Sequence, residues 1–359
     1  VKLSKNRSYY MKKSASNPNG YTLTQARERE EELVNEILSK AKESIERVFN
    51  ASDLDKNNDG NVDAISFFIE ADKVTEDKVE WSDLLWSHKI SGMNLNVTLE
   101  GKKVNTYNLI NTYDSNYLGG VFSMNQGTYG TIIHEYMHVL GLPDLYRYNS
   151  GGDPVGFYDI MATTTNYNPQ GILAYMTSEY NNLGWNSLSE VKSSTSVTLN
   201  KPQYSNPSEK RAVKIVSPVN EDEFFIVEYY EKRDKVYASD TSISDGLVVY
   251  RINSKVKNGN MNGTSTGKND YLYVFRPNET GCGKGEGNLN QAVLSKNGRS
   301  SIGKPLNTTY SWNNDTLFYS NGTNSGITIN ITSSSSNSIT FDINVPIVQG
   351  DGSTAKPYL

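Results

Sequence analysis

Apolar residues recur every three and four positions along TLTQAREREEELVNEILSKAKESIERVF, at Leu33, Val34, Ile37, Leu38, Ala41, Ile45 and Val48. That spacing predicts an amphipathic helix over residues 22–49, with Thr22 or Thr24 as its N-cap. The run AISFFIEA after the loop ASDLDKNNDGNVD predicts a buried strand, and NLNVTLEG a second one. Helical patterning returns from about Tyr129, stops at Gly141, and is expected again over 169–184 between Pro169 and Gly184. Beyond Trp185 the period changes to short β-rich runs separated by turn residues. These are SVTLN, RAVKIVS, EFFIVEYYE, GLVVYRI, YLYVFRP, TLFYS, GITINITS and SITFDINV.

The expected fold is therefore α+β: a first domain at 1–188 that mixes helices and strands, then an all-β sandwich-like domain at 189–346. Residues 347–359 are expected to form a linker or disordered tail. With 359 residues and a formal charge of -5, the chain has room for two cores and no basic stripe for nucleic acid. No apolar stretch reaches the roughly 18 residues of a membrane span. The chain opens VKLSKNRSYYMKK without an apolar leader, which fits a cytosolic protein or a mature form whose leader has been removed. Cys282, the one cysteine, rules out an internal disulfide framework.

The richest chemistry lies in TIIHEYMHVLGLPDLY. His134 and His138 stand one helical turn apart on one face, so both imidazoles can bind one Zn²⁺. Glu135 projects beside them as the expected general base. Gly141 is placed to end the helix, Leu142-Pro143 prevents it from resuming, and Asp144 arrives as the third ligand. The string HExxHxxGxxD puts an aspartate where metzincin sites carry a third histidine. Glu179 on the following predicted helix is the alternative third ligand, as in gluzincin-type sites, but it would leave the Gly141 turn without a purpose. Asp159 suits a supporting carboxylate better than a ligand, and Met161 in YDIMATTTNY is the expected Met turn. Tyr167 is the expected donor to the developing oxyanion, with Tyr158 second.

The loop at 55–63 offers oxygens at Asp55, Asn57, Asp59, Asn61 and Asp63, with Gly60 at the sharp turn, and so predicts a structural Ca²⁺. The glutamate that usually completes such a loop is absent, because Ser66 holds its position. A solvated turn rich in Asn and Asp is the plainer reading. His88 is left without a role. GCGKGEG lacks the spacing of a phosphate cradle, and Cys282 has no identifiable base.

HEYMHVLGLPDLY, followed by GFYDIMA and NNLGW, resembles the immune inhibitor A family of secreted bacterial metallopeptidases. DLDKNNDGNVDAISFFI, FFIVEYYEKRD and DGLVVYRIN extend the resemblance over about residues 8 to 255. The resemblance implies a secreted zinc endopeptidase made with an inhibitory propeptide. It implies zinc on His134, His138 and Asp144, the base at Glu135 and the Met turn at Met161. Only VKLSKNR precedes the SYY segment, where the family usually has a strand. A substrate protein or peptide is the expected partner, and a monomer the expected state. The rival readings are a catalytically silent secreted adhesin or glycan-binding module with a structural zinc, and a zinc hydrolase acting on something other than peptides.

Overall fold

The computed structural model describes residues 1–69, 83–111, 129–164, 169–202, 210–231, 245–306 and 315–347. Its secondary structure is α+β, in two compact units, Val1–Gly141 and Leu142–Leu359. The first unit is built around α1 (Ala26–Glu46), which buries Leu33, Val34 and Leu38. A 3₁₀ turn over Leu23–Gln25 leads into it, and the Thr22 N–H donates to Gln25 Oε1 at 3.0 Å. The helix stops at Glu46 and leaves Val48 exposed, so the apolar period runs past the element it predicted.

A short helix, α2 (Ala51–Leu54), capped by the Asn50 side chain, precedes the acidic loop. Strands β1 (Ser66–Ile69), β2 (His88–Ser91), β3 (Thr98–Leu99), β4 (Lys102–Lys103) and β5 (Thr106–Asn111) follow. The main sheet has the order β1-β5-β2, with β1 parallel and β2 antiparallel to β5. The strand expected in NLNVTLEG is only the first arm of the small β3–β4 hairpin. Phe67, Tyr107 and Leu109 share a core with the apolar face of α1. Helix α3 (Tyr129–Val139) packs against β5 and β2, and so places His134, Glu135 and His138 beside this sheet.

In the second unit, α4 (Ala174–Ser178) is far shorter than the expected helix and passes into a 3₁₀ turn at Tyr180–Asn182. Its start is pinned from outside: Ala174 N–H donates to Glu228 at 2.8 Å and Tyr175 N–H to the Tyr250 hydroxyl at 3.2 Å. Positive φ at Asn182 and Gly184 then closes it.

The strands are β6 (Ser189–Val191), β7 (Thr195–Asn200), β8 (Ala212–Ile215), β9 (Glu223–Tyr230), β10 (Gly246–Asn253), β11 (Leu272–Val274), β12 (Ser301–Gly303), β13 (Thr328–Ser334) and β14 (Ser338–Asn344). They form a five-stranded sheet, β11-β10-β9-β8-β6, and a four-stranded sheet, β12-β13-β14-β7. Val227, Val249, Ile329 and Phe341 belong to one core drawn from both sheets. TLFYS is not a strand: it makes one isolated bridge at Phe318, yet Leu317, Phe318 and Tyr319 fill that core.

Strands β9 and β10 are buried along nearly their whole length, on both faces. The segment carrying α4 covers part of the second face, with Tyr175 against Phe224 at 5.3 Å between ring centroids. The described residues from Leu142 onward, α4 among them, fall in the second unit. Of the expected tail, only Ile347 falls among the described residues, and it is exposed.

Candidate metal centre

Helix α3 places its polar residues where the motif requires. His134 and Glu135 are buried, and His138 is half-buried. The imidazoles of His134 and His138 meet edge to face with centroids 4.8 Å apart. The helix ends as Gly141 adopts φ +92° and its N–H donates to the His138 carbonyl at 3.0 Å. Leu142 and Leu145 are buried, and between them Asp144 turns inward. One ligand atom from each of His134, His138 and Asp144 lies within 4.8 Å of the others. Two nitrogens and one oxygen this close can be gathered by one ion with bonds of about 2.0–2.2 Å. Among the described residues this is the one such group of His, Cys, Asp and Glu.

The Asp144 carboxylate accepts a hydrogen bond at Oδ2 from the Tyr148 hydroxyl. Burial, and then the negative charge of Asp144, push the Tyr148 pKa well above the ordinary tyrosine value, so the phenol stays a donor. The next residue, Leu145, donates its N–H to the Met161 carbonyl at 2.8 Å. Met161 is fully buried in a turn organised by Asp159. One Asp159 oxygen accepts the Met161 N–H and the other the Leu173 N–H, each at 2.8 Å. Asp159 therefore shapes the backbone beneath the ligand segment.

Glu179 is engaged elsewhere, by Lys214 Nζ at 2.9 Å. Tyr158 is buried with its hydroxyl donating to the Leu289 carbonyl at 3.1 Å. Tyr167 lies outside the described residues. In the acidic loop, Asp55 is buried and accepts from the Asp59 and Gly60 N–H groups and from Lys102 Nζ at 2.7 Å. Lys102 heads the causes that hold its carboxyl below the ordinary aspartate pKa. Asn57 accepts from Asp59 N–H, Asp59 from Asn61 N–H, and Asp63 from Lys56 N–H. The loop thus carries a network of Asx turns, and the Lys102 side chain reaches it from β4.

His88 has a setting that the sequence did not disclose. Its Nδ1 lies 2.6 Å from the Trp86 carbonyl and its Nε2 3.0 Å from Glu30 Oε1, which also accepts from Tyr107. Both ring nitrogens face acceptors, so a ring that satisfies both carries two protons. Burial opposes that charge, but Glu30, the Trp86 carbonyl and the charge of Glu135 outweigh it and raise the pKa. The resulting stabilisation is complete below the ordinary histidine value, about 6.5, and is lost as pH rises through the raised one. His88→Gln is therefore expected to cost more stability near about pH 5.5 than near about pH 9 in denaturant unfolding. Equal costs at the two pH values would contradict a charged ring.

Tyr148 and the Glu30–His88 pair are the residues that sequence reasoning missed. Tyr148 sits four residues past Asp144, but it is one of 24 tyrosines and nothing in its spacing marks it out. Residues 1–172 match the family model for the immune inhibitor A peptidase M6, catalytic domain. No curated protein matches the chain.

Proposed function

Residues 1–172 belong to the immune inhibitor A peptidases, and on that premise we propose that the protein is a secreted, zinc-dependent endopeptidase. The observation that carries the proposal is the convergence of His134, His138 and Asp144, with Glu135 buried on the same helix. Two imidazoles and one carboxylate match the three-ligand sets of catalytic zinc, which keep one coordination position open. Zinc, when bound, supplies Lewis acidity and lowers the pKa of water toward about 7.

The protein's own groups do the rest. Glu135 takes a proton as water adds to the peptide carbonyl carbon, and it passes that proton to the departing amine as the C–N bond breaks. Met161, buried on the turn that bonds to Leu145, acts as the floor of the ligand segment. The oxyanion donor in this reading is Tyr167. Tyr158 is less suited, because its hydroxyl is engaged by Leu289. Strand β2 borders the main sheet next to α3, and among the described residues no strand pairs with its outer side. An extended polypeptide can add there as a further strand, the binding mode that suits an endopeptidase substrate.

The two sheets with a common core support a β-sandwich reading of the second region. Lys102 supplies the positive charge in the acidic loop, so the proposal includes no calcium. Secretion and a propeptide rest on the family. No described helix is long and apolar enough to cross a membrane. Incubation with a denatured casein-like protein tests the reading. Internal cleavage that a chelator abolishes and zinc restores is expected. Intact metal binding without cleavage would support a silent binding module instead, and turnover of esters alone a non-peptide hydrolase.

A further inference from the structure

The β-rich region is easily taken for an appended module, but one of its loops runs alongside the segment that bears Asp144. Asn258 and Gly259 both take left-handed backbone conformations, with φ of 65° and 62°. This Asn-Gly turn brings main chain against main chain. A Cβ on Gly259 would lie 2.1 Å from the Asp144 carbonyl oxygen and 2.8 Å from Pro143 Cβ. Asn260 N–H donates to that same carbonyl at 2.9 Å. Its fully buried side chain donates to the carbonyls of Leu145 at 2.8 Å and Leu272 at 2.7 Å, and accepts from Leu272 N–H at 3.0 Å.

The contacts continue in step. Met261 accepts the Tyr148 N–H at 3.3 Å, and a Cβ on Gly263 would press on Arg147 Cγ at 2.8 Å and on Asp270. Residues 259–263 therefore follow residues 144–148 like a splint, with Asn260 joining them to β11.

We propose that Asn260 and Tyr148 are positioning residues for the third metal ligand: Asn260 fixes the main chain of Asp144, and Tyr148 fixes the rotation of its carboxylate. This assignment rests on Asp144 being a ligand. It gives the β-rich region a part in building the metal site, through a loop about 115 residues beyond the motif. Ligand-supporting groups of this kind typically change metal affinity by about 10–100-fold when removed. A splint also predicts a split response. The ion binds more weakly, but once bound it sits in the same place, so turnover at saturating zinc is nearly unchanged.

The test uses the full chain, with zinc affinity measured by competition against a chromophoric chelator. Tyr148→Phe deletes one hydroxyl and preserves the ring, and Asn260→Ser is the main-chain counterpart. Tyr148→Phe is expected to bind zinc about 10–100-fold more weakly, to keep the melting temperature of the metal-free wild type, and to recover kcat in excess zinc. Asn260→Ser is expected to show the same zinc defect. Wild-type affinity in Tyr148→Phe would overturn the assignment, even if Asn260→Ser failed to fold. Loss of kcat that excess zinc does not restore would overturn it as well. Wild-type protein that binds no zinc would instead remove the metal reading on which the assignment stands.

Discussion

Glu135→Ala is expected to retain zinc and to lose about 10²–10⁴-fold of kcat on protein substrates, the range that a positioned general base contributes. His134 and His138 face each other one turn apart, while Glu135 leaves the helix at a neighbouring angle and is not in the ligand group. Removing its carboxylate leaves the two imidazoles and Asp144 in place, so zinc affinity should hardly change. What disappears, in the proposed mechanism, is the group that accepts the proton of water and returns it to the amine. Metal analysis of the purified variant, beside cleavage of a denatured protein, separates the two effects. A variant without zinc would make Glu135 structural, and a variant with full activity would place the base elsewhere.

The largest loss of stability is expected from Asp270→Ala. Arg147, three residues beyond Asp144, is wholly buried together with Asp270, and the pair is joined at 2.9 Å and 2.5 Å. The remaining guanidinium protons go to the carbonyls of Gly151, Gly283 and Lys284, so all five donors are satisfied. Two of those acceptors come from GCGKGEG, which serves as the socket for Arg147. Gly152 lies so close to this loop that a Cβ there would be 1.9 Å from the Lys284 carbonyl oxygen. Deleting Asp270 strands a guanidinium away from water, a change that typically costs about 3–5 kcal/mol. Denaturant unfolding of the second unit measures it. The exposed pair Arg47–Glu43 is the control, because a pair so open to solvent contributes little. A cost under about 1 kcal/mol for Asp270→Ala would mean that the carbonyls alone hold Arg147.

Legibility followed the range of the interactions. His134, Glu135, His138, Gly141 and Asp144 fall within eleven consecutive residues, and helix period and glycine geometry act at that range. The structure brings the two histidines and Asp144 together as the spacing implied. Strands β7, β13 and β14 were readable because one face of each is buried and the other wet. Strand β5 was not, although it is the centre of the main sheet. Asn108 and Asn111 interrupt its apolar pattern and are buried nevertheless, Asn108 beside Ser66. The helix expected over 169–184 shrank because Asp159, Glu228 and Tyr250 take the backbone donors at its start. Those partners are distant in sequence, as Asn260 is from Asp144, and no local period encodes them. The acidic loop shows a partner that its own residues do not encode. Its oxygen spacing suits Ca²⁺, but Lys102 on β4 supplies the positive charge from outside the loop.

The most direct test of the account is a zinc titration into metal-free protein while internal cleavage of a denatured substrate is followed. Asp144→Ala and Glu179→Ala would be run beside the wild type. Wild type and Glu179→Ala should gain activity in proportion to added zinc and stop at about one equivalent per chain, as a single three-ligand site requires. Asp144→Ala should show no such breakpoint. Cleavage that persists without metal, or a breakpoint kept by Asp144→Ala and lost by Glu179→Ala, would contradict the site described here.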